Sequence, residues 1–546
     1  MRRWNGWGDD SITYPLSQAA GRFLEALMGP GLPPRDASWQ AVVAAAARLR
    51  FDRLTARGLS LSKASRLLPH PLVFNDPADR VRHARGHSLP DWIALRSGRL
   101  DALPDGVAYP TSDGDVRALI AFARAAGARL IPYGGGTSVV GHINPQVGAA
   151  PVLTVDMRRL NGLLSLDSIN HLATFGAGVT GPDLEAQLQA HGFTLGHFPQ
   201  SFEYSTLGGW IATRSSGQQS LGFGRIERLF AGGHLESPAG ALDMPAFAAS
   251  AAGPDLRELI LGSEGRLGIL TAATVRITPI AAREDFRAVF FPDFEAGQAA
   301  VRALVQARLP LSMLRLSTAV ETQTNLALAG HPRLIAALER FLAVGGLAAD
   351  KCMLILGFNG SDAQVKLSRR AALALARQHG GIHVGRTFGQ EWHKNRFRAP
   401  YLRNTLWEMG YAVDTVETVV NWIAAPALIA ALDKTLHGGL QDIGERTHVF
   451  THLSHVYPSG ASVYTTYLFR IAPDPDETLH RWQTLKQAAS QVIMQYGGTI
   501  SHQHGVGLDH KPYLAQEKGV LGMAVLADLC QRFDPEGLLN PGKLIS

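Results

Sequence analysis

Cysteine is scarce: Cys352 and Cys530 are the only two in 546 residues, and neither sits in a C-x-x-C pair. They cannot build a disulfide framework, so a reducing cytoplasm is the expected location. No run of about 18 uncharged apolar residues occurs, and a membrane-spanning helix is not expected. The opening MRRWNGWGDDS has two arginines but turns acidic with no apolar stretch behind it, unlike a secretory signal. The chain ends Lys-Leu-Ile-Ser, without a peroxisomal Ser-Lys-Leu. Neither G-x-G-x-x-G opening a helix nor G-x-x-x-x-G-K-[ST] is present, which removes the Rossmann and P-loop readings. The net charge of +6 is modest for this length and spread along the chain. That excludes a dedicated nucleic-acid binder and leaves anionic small molecules or a membrane surface as compatible partners.

What is present is glycine, 57 residues of it, in a chain that is 46% hydrophobic and long enough for two or more cored domains. Residues 1–100 read as an irregular lead-in with helical apolar spacing over Ser17–Met28 and Trp39–Arg50, then a basic, proline-containing stretch from Arg50 to His87. From Val107 strands and helices alternate. An acidic helix start precedes an apolar face at Val116, Leu119, Ile120 and Ala123 and a stop at Gly127. Strand-like segments follow at 129–133, Pro151–Val155 and Leu172–Gly176, with a short helix over GPDLEAQLQAHG.

Three glycine stretches stand out. The first, RLIPYGGGTSVVGHIN, delivers an apolar strand into Gly134, Gly135 and Gly136, then Thr137 and Ser138. Glycines permit close backbone approach, so successive N–H groups can converge on an anion such as a pyrophosphate. The second, residues 199–229, sets Ser201, Ser205, Thr206, Thr213, Ser215 and Ser216 around Gly208, Gly209 and Gly217, small hydroxyls that suit a flat cofactor lying against backbone. In the third, Gly262, Gly265 and Gly268 precede a strand whose alternation runs through Ile269, Thr271, Thr274, Val275 and Ile277. One such stretch is an ordinary turn; three in this order indicate a nucleotide-bearing α+β domain.

PYGGGTSVVG, FPQSFEYSTLGGWIATRSSG and GSEGRLGILTAATVRITP resemble the three flavin-binding segments of the vanillyl-alcohol-oxidase (PCMH) type of FAD enzymes. Within that superfamily the chain is most similar to the alkylglycerone-phosphate synthases, from RWNGWG to DPEGLLNPGKLI. The resemblance implies an α+β protein: a lead-in over 1–100, a two-subdomain FAD-binding domain over 101–281, an α+β substrate-binding cap over 282–500, and a segment from 501 that returns to the flavin. It implies FAD contacts from Pro132 and Tyr133 through Ser138, from Gln200, Ser201, Glu203, Ser205, Thr206, Gly208 and Gly209, from Thr213, Arg214, Ser215 and Ser216, and from Glu264, Gly265, Leu267, Gly268 and Ile269. Thr137 stands where covalently flavinylated relatives carry histidine, so the FAD is expected to be non-covalent; His142 is read as a packing or phosphate-side residue.

Four positions in the second half gain roles from the same likeness. Arg403, in PYLRNTLWEMGY, matches an arginine that holds the substrate phosphate, a task suited to the two-pronged guanidinium. Arg315 matches an arginine near the cofactor and substrate. Tyr464 and His504 match the active-site tyrosine and the last histidine of a His-rich motif, with His502 assisting; Gln503 replaces the middle histidine. The implied chemistry exchanges the acyl group of acyl-dihydroxyacetone phosphate for a fatty alcohol with no net redox change. The competing reading is an FAD-linked oxidase or dehydrogenase of a 2-hydroxy acid or related small alcohol. Many of those hold a divalent metal through H-x-G-D-G-N-x-H and a Glu-His pair. Here the first motif runs His455 to Ser462, and Gln503 takes the glutamate's place, so two donors are lost and no metal is expected. A homodimer with contact at a membrane surface is expected by the same likeness.

Overall fold

The computed structural model describes residues 1–56, 70–148, 150–329 and 332–545. Part of the stretch from Arg50 to His87 lies outside these. The helix Asp113–Ala126 starts at Ser112, whose hydroxyl accepts the Asp115 N–H, buries Val116, Leu119, Ile120 and Ala123, and stops at Gly127 with φ 65°. It covers a four-stranded sheet ordered Val73–Phe74, Gly106–Ala108, Val152–Asp156, Arg129–Tyr133, whose last three strands run parallel. The triple-glycine loop therefore leaves the carboxyl end of a parallel strand, where open sheets carry their ligands. The free edge of that strand is taken by the chain's end: Leu130 N–H donates to Leu538 O and Asn540 N–H to Leu130 O.

A second, five-stranded antiparallel sheet is ordered Leu163–Asp167, Leu172–Gly176, Ile269–Arg276, Phe230–Ser237, Gly240–Met244. In Ile269–Arg276 the buried row is Ile269, Thr271, Ala273 and Val275. This corrects the alternation read from sequence. Thr274 has the opposite parity and faces outward, its hydroxyl 2.8 Å from that of Thr174 across the strands.

Past Arg283 the chain builds a seven-stranded antiparallel sheet ordered Ile382–His383, Arg283–Phe291, Cys352–Gly360, Met313–Ser317, His448–Tyr457, Gly460–Arg470, Tyr411–Asn421. One face is buried under the helices Phe294–Gln306, Asp362–Gln378, Ala425–Gly438 and Pro475–Gln495, where Leu314, Leu354, Val416, Val449, Val463 and Tyr467 join the main core. The other face opens on a cavity. Its alternate residues line it strand by strand: Met313 and Arg315; Met353 and Ile355; Val413 and Thr415; His448, Phe450, His452 and Ser454; Tyr464, Thr466 and Leu468. His448 and His452 share that face, but four residues of strand separate them by roughly 13 Å, and His448 bonds Thr324 instead.

The amino-terminal residues are not a passive lead-in. Trp7 is buried, edge-on to His87 and Tyr204. The Asn404 side-chain amide clasps its backbone, accepting the Trp7 N–H (3.0 Å) and donating to the Trp7 carbonyl (2.9 Å). The Arg2 guanidinium lies over Tyr204 and donates to the Gly135 carbonyl.

Candidate active site

A single cavity of about 970 Å³ runs from the triple-glycine loop to the open face of the seven-stranded sheet. Packing dictates the glycines. A Cβ on Gly134 would lie 2.1 Å from Thr206 Oγ1, and one on Gly135 1.8 Å from Tyr204 O; Gly136 has φ 66°. The first glycine stretch is pressed against the second. Among the described residues, nothing accepts the N–H groups of Gly135, Gly136, Thr137, Ser138 or Val139. Successive unpartnered amides around a cavity are the donor set that a pyrophosphate requires, so the residues present fit the FAD that the sequence implies.

Pro132 through Ser138, Gln200, Ser201, Ser205, Thr206, Gly208, Gly209, Thr213, Ser215, Ser216, Glu264, Gly265, Gly268 and Ile269 all line this cavity. Three expected contacts do not. Arg214 takes φ 52° at the end of the helix Leu207–Thr213, which turns its guanidinium out to Glu258 and the Leu261 carbonyl. Leu267 is packed in the core of the five-stranded sheet. Glu203 is half-buried beside Tyr401, away from the cavity. Two further corrections concern what the liners offer. Glu264 directs its carboxylate to the Val506 and Gly507 N–H groups, pinning the carboxyl-terminal segment. Several hydroxyls of the second stretch turn to protein: Ser205 accepts the Trp210 indole N–H, Ser215 pairs with His197 and Ser216 with His455. His142 is buried at the cavity wall, 2.9 Å from Ser138 Oγ and 3.1 Å from Glu264 Oε1.

Across the cavity, the ladder sets Glu417, Tyr464 and His452 side by side on three neighbouring strands. Tyr464 stacks on His452 at 4.9 Å and meets the His504 ring edge-on at 6.0 Å. Burial pushes the Tyr464 phenol up to about 12, with Thr415 opposing. Burial lowers His504, against the pull of Glu417. Burial would raise Glu417, but His504, His502 and the Gln503 N–H outweigh it and hold the carboxyl far below the usual range. Arg403 projects from the helix Ala399–Glu408, stacked 4.4 Å from the Trp92 ring, with Nη1 donating to His87 O and Nη2 buried without a partner. An unpartnered guanidinium nitrogen at a cavity wall suits an incoming oxyanion. Arg315 is also on the wall, but its Nη2 is committed to Glu321 (2.6 Å) and His452 (3.1 Å).

His502, expected to assist, does not line the cavity. It lies one layer back, Nε2 2.6 Å from Tyr457 Oη and Nδ1 3.6 Å from Glu417. Sequence reasoning also missed liners. Trp7, Thr13, Tyr14 and Pro15 close the cavity from the amino terminus, and Asn540 enters from the other end, bonded to the His142 and Glu264 carbonyls with Oδ1 free. The Asn-Pro-Gly turn around Asn540 was the available signal.

Two family profiles match: "FAD binding domain" over residues 104–242 and "FAD linked oxidases, C-terminal domain" over 281–544. The alkyldihydroxyacetonephosphate synthase of Dictyostelium discoideum is 31% identical over 86% of this chain and 78% of its own length. That of Trypanosoma brucei brucei is 28% identical over 100% and 92%. A solved alkyldihydroxyacetonephosphate synthase structure superposes with a TM-score of 0.81 at 26% identity, covering 99% of this chain and 98% of the other. The chain belongs to the alkyldihydroxyacetonephosphate synthase (alkylglycerone-phosphate synthase) family of FAD-dependent enzymes.

Proposed function

We propose that this enzyme replaces the acyl group of an acyl-dihydroxyacetone phosphate by a fatty alcohol. The C1–ester oxygen bond breaks, the fatty acid leaves as carboxylate, and the alcohol gives up its hydroxyl proton as its oxygen bonds to the same carbon, giving an ether-lipid precursor without net oxidation. The observation that carries this is the continuity of one cavity: the glycine cradle, the free Nη2 of Arg403, and an apolar arm lined by Leu24, Leu328, Leu402, Leu406, Phe450 and Leu468 share a single space. A phosphate anchor next to an apolar arm fits a lipid phosphate better than a small hydroxy acid.

FAD held by the glycine cradle would supply an electrophilic ring. Arg403 holds the phosphate through Nη2. His504, neutral because burial lowers it, takes the proton from C1 at Nε2, the ring nitrogen remote from Glu417, and returns it once the new C–O bond is made. Tyr464, a neutral phenol through the physiological range, donates to the departing oxygen. Positioned acids and bases of this kind contribute about 10²–10⁴-fold. Trp7 and Tyr14 wall off solvent, which protects the reacting carbon from hydrolysis. The metal-assisted alternative lacks donors at Ser462, whose hydroxyl faces Ser454 at 3.4 Å, and at Gln503.

The helix Pro332–Val344 supports peripheral contact with a lipid surface. Leu338 and Leu342 pack inward with cavity liners Met313, Met353 and Ile355, while Leu334, Phe341 and Val344 are exposed on it. No helix among the described residues is long and apolar enough to cross a membrane. A cytoplasmic homodimer touching the membrane through this helix completes the proposal.

The deciding experiment is anaerobic. FAD-loaded protein is mixed with palmitoyl-dihydroxyacetone phosphate, or with D-2-hydroxy acids, while the flavin spectrum is recorded. Bleaching by the acyl phosphate, with fatty acid released and alkyl ether formed once hexadecanol is added, is the expected result. Bleaching by a hydroxy acid with ketoacid formed and reoxidation by an acceptor would overturn the transferase.

A further inference from the structure

We infer that Glu417 is the positioning residue of the histidine segment, fixing His504 with Nδ1 turned to the protein and Nε2 to the cavity and charge-compensating it when protonated. The inference rests on the reading of His504 as the base. Glu417 stands in the middle of the strand Tyr411–Asn421, 2% exposed, directly across from Tyr464. Its Oε1 accepts the Gln503 N–H at 2.6 Å and the His504 N–H at 3.2 Å, so one oxygen sets the path of the backbone that carries the base. The same oxygen is 3.7 Å from His504 Nδ1; Oε2 is 3.6 Å from His502 Nδ1 and has no hydrogen-bond partner.

A buried carboxylate demands a compensating cation. Among the described residues, no Lys or Arg lies within 4.0 Å of Glu417; its ion-pair partners are the two imidazoles. His502 is turned away, its Nε2 held by Tyr457, and Gln503 cannot titrate, so among the three residues of the segment His504 alone presents a proton acceptor to the cavity. The other groups that act on His504 are already engaged. Lys486 bonds the Thr415 carbonyl and lies 3.6 Å from Asp414; His142 faces Glu264; His510 bonds the Gly505 carbonyl; Tyr464 is a neutral phenol. When His504 Nε2 takes a proton, the imidazolium forms beside a carboxylate of opposite sign instead of alone in a dry cavity. A nearby opposite charge shifts a titration by about 1–3 units.

The test needs no substrate, so its failure is separable from failure of the proposed reaction. The holoenzyme is prepared with ¹⁵N-histidine, His504 is assigned by loss of its resonances in His504→Gln, and both ring nitrogens are followed against pH. In the unsubstituted enzyme neutral His504 is expected as the Nδ1–H tautomer; the Nε2–H tautomer would overturn the inference, whatever the variants do. In Glu417→Gln, with flavin content retained, the His504 midpoint is expected to fall by at least about one unit, while Glu417→Asp keeps most of the shift. An unchanged midpoint in flavin-loaded Glu417→Gln would reduce Glu417 to a backbone clamp. If Glu417→Gln loses flavin, the tautomer of the unsubstituted enzyme decides.

Discussion

Gly135 lies so close to Tyr204 that a Cβ added to it would sit 1.8 Å from the Tyr204 carbonyl oxygen. Backbone on both sides leaves no flexible side chain to give way, so Gly135→Ala must push the loop and the 204–206 segment apart. Overpacking of this kind costs about 1–3 kcal/mol, and the displaced amides are the proposed pyrophosphate donors. Flavin affinity in Gly135→Ala is expected to fall roughly tenfold or more, read as the flavin-to-protein absorbance ratio after dialysis. Full flavin retention would show that the amides of this loop do not hold the cofactor.

Thr137, lining the cavity in place of a histidine, offers no nucleophilic ring nitrogen for a bond to the flavin. Acid precipitation should release all of the yellow chromophore to the supernatant and leave no fluorescent band on a denaturing gel. Fluorescence that stays with the chain would implicate His142, the buried imidazole closest in sequence to that loop.

The FAD half of the site was legible because glycines announce close backbone approach. The loop at Gly134–Gly136, the helix face at Val116–Ala123 and the strand exit at Tyr133 all lie where local spacing puts them. Side-chain direction was less legible. Arg214 and Leu267 belong to the right segments yet point out or into the core: a left-handed φ turns Arg214 outward, and Leu267 falls in the bend before the strand, packed in the core. The contacts of widest sequence separation were silent. Nothing in MRRWNGWG says that Trp7 will be clasped by Asn404, or that Arg2 will reach the Gly135 carbonyl; those pairings exist only once distant segments have folded together.

Arg403 has one free terminal nitrogen, while its stacking on Trp92 and its bond to His87 O keep it in place. Arg403→Lys loses the fork and is expected to raise KM for the acyl phosphate roughly 10- to 100-fold, the worth of a charge-assisted hydrogen bond, with flavin content unchanged. A dihydroxyacetone ester without phosphate should lose nothing. Equal losses on both substrates would move the anchor elsewhere.

Tyr464 holds its proton up to about 12 because it is buried. The phenol therefore does not titrate between pH 6 and 9, and a change of rate with pH in that range belongs to other groups. Tyr464→Phe should lower kcat by about 10²-fold or more while leaving the pH profile in place. A profile that loses its basic limb would show that the phenol titrates within that range and that burial is relieved when substrate enters.

Glu321 lies on the cavity wall between Arg315 (2.6 Å) and His452 (3.0 Å). Burial pushes its carboxyl up, but Arg315 and His452 outweigh burial and hold it at about 2. The unfolded chain would protonate the same group near 4.3. Its contribution to stability is therefore complete above roughly pH 5 and fades as pH falls toward the folded value. Removing the charge leaves Arg315, half-buried on the cavity wall, without its carboxylate, a loss of about 1.5–3 kcal/mol. In thermal melts Glu321→Gln should unfold well below the unsubstituted enzyme at pH 7, and the gap should narrow steadily from pH 5 to pH 3. A gap that stays constant across that range would mean that Glu321 acts through shape and hydrogen bonding and not through its charge.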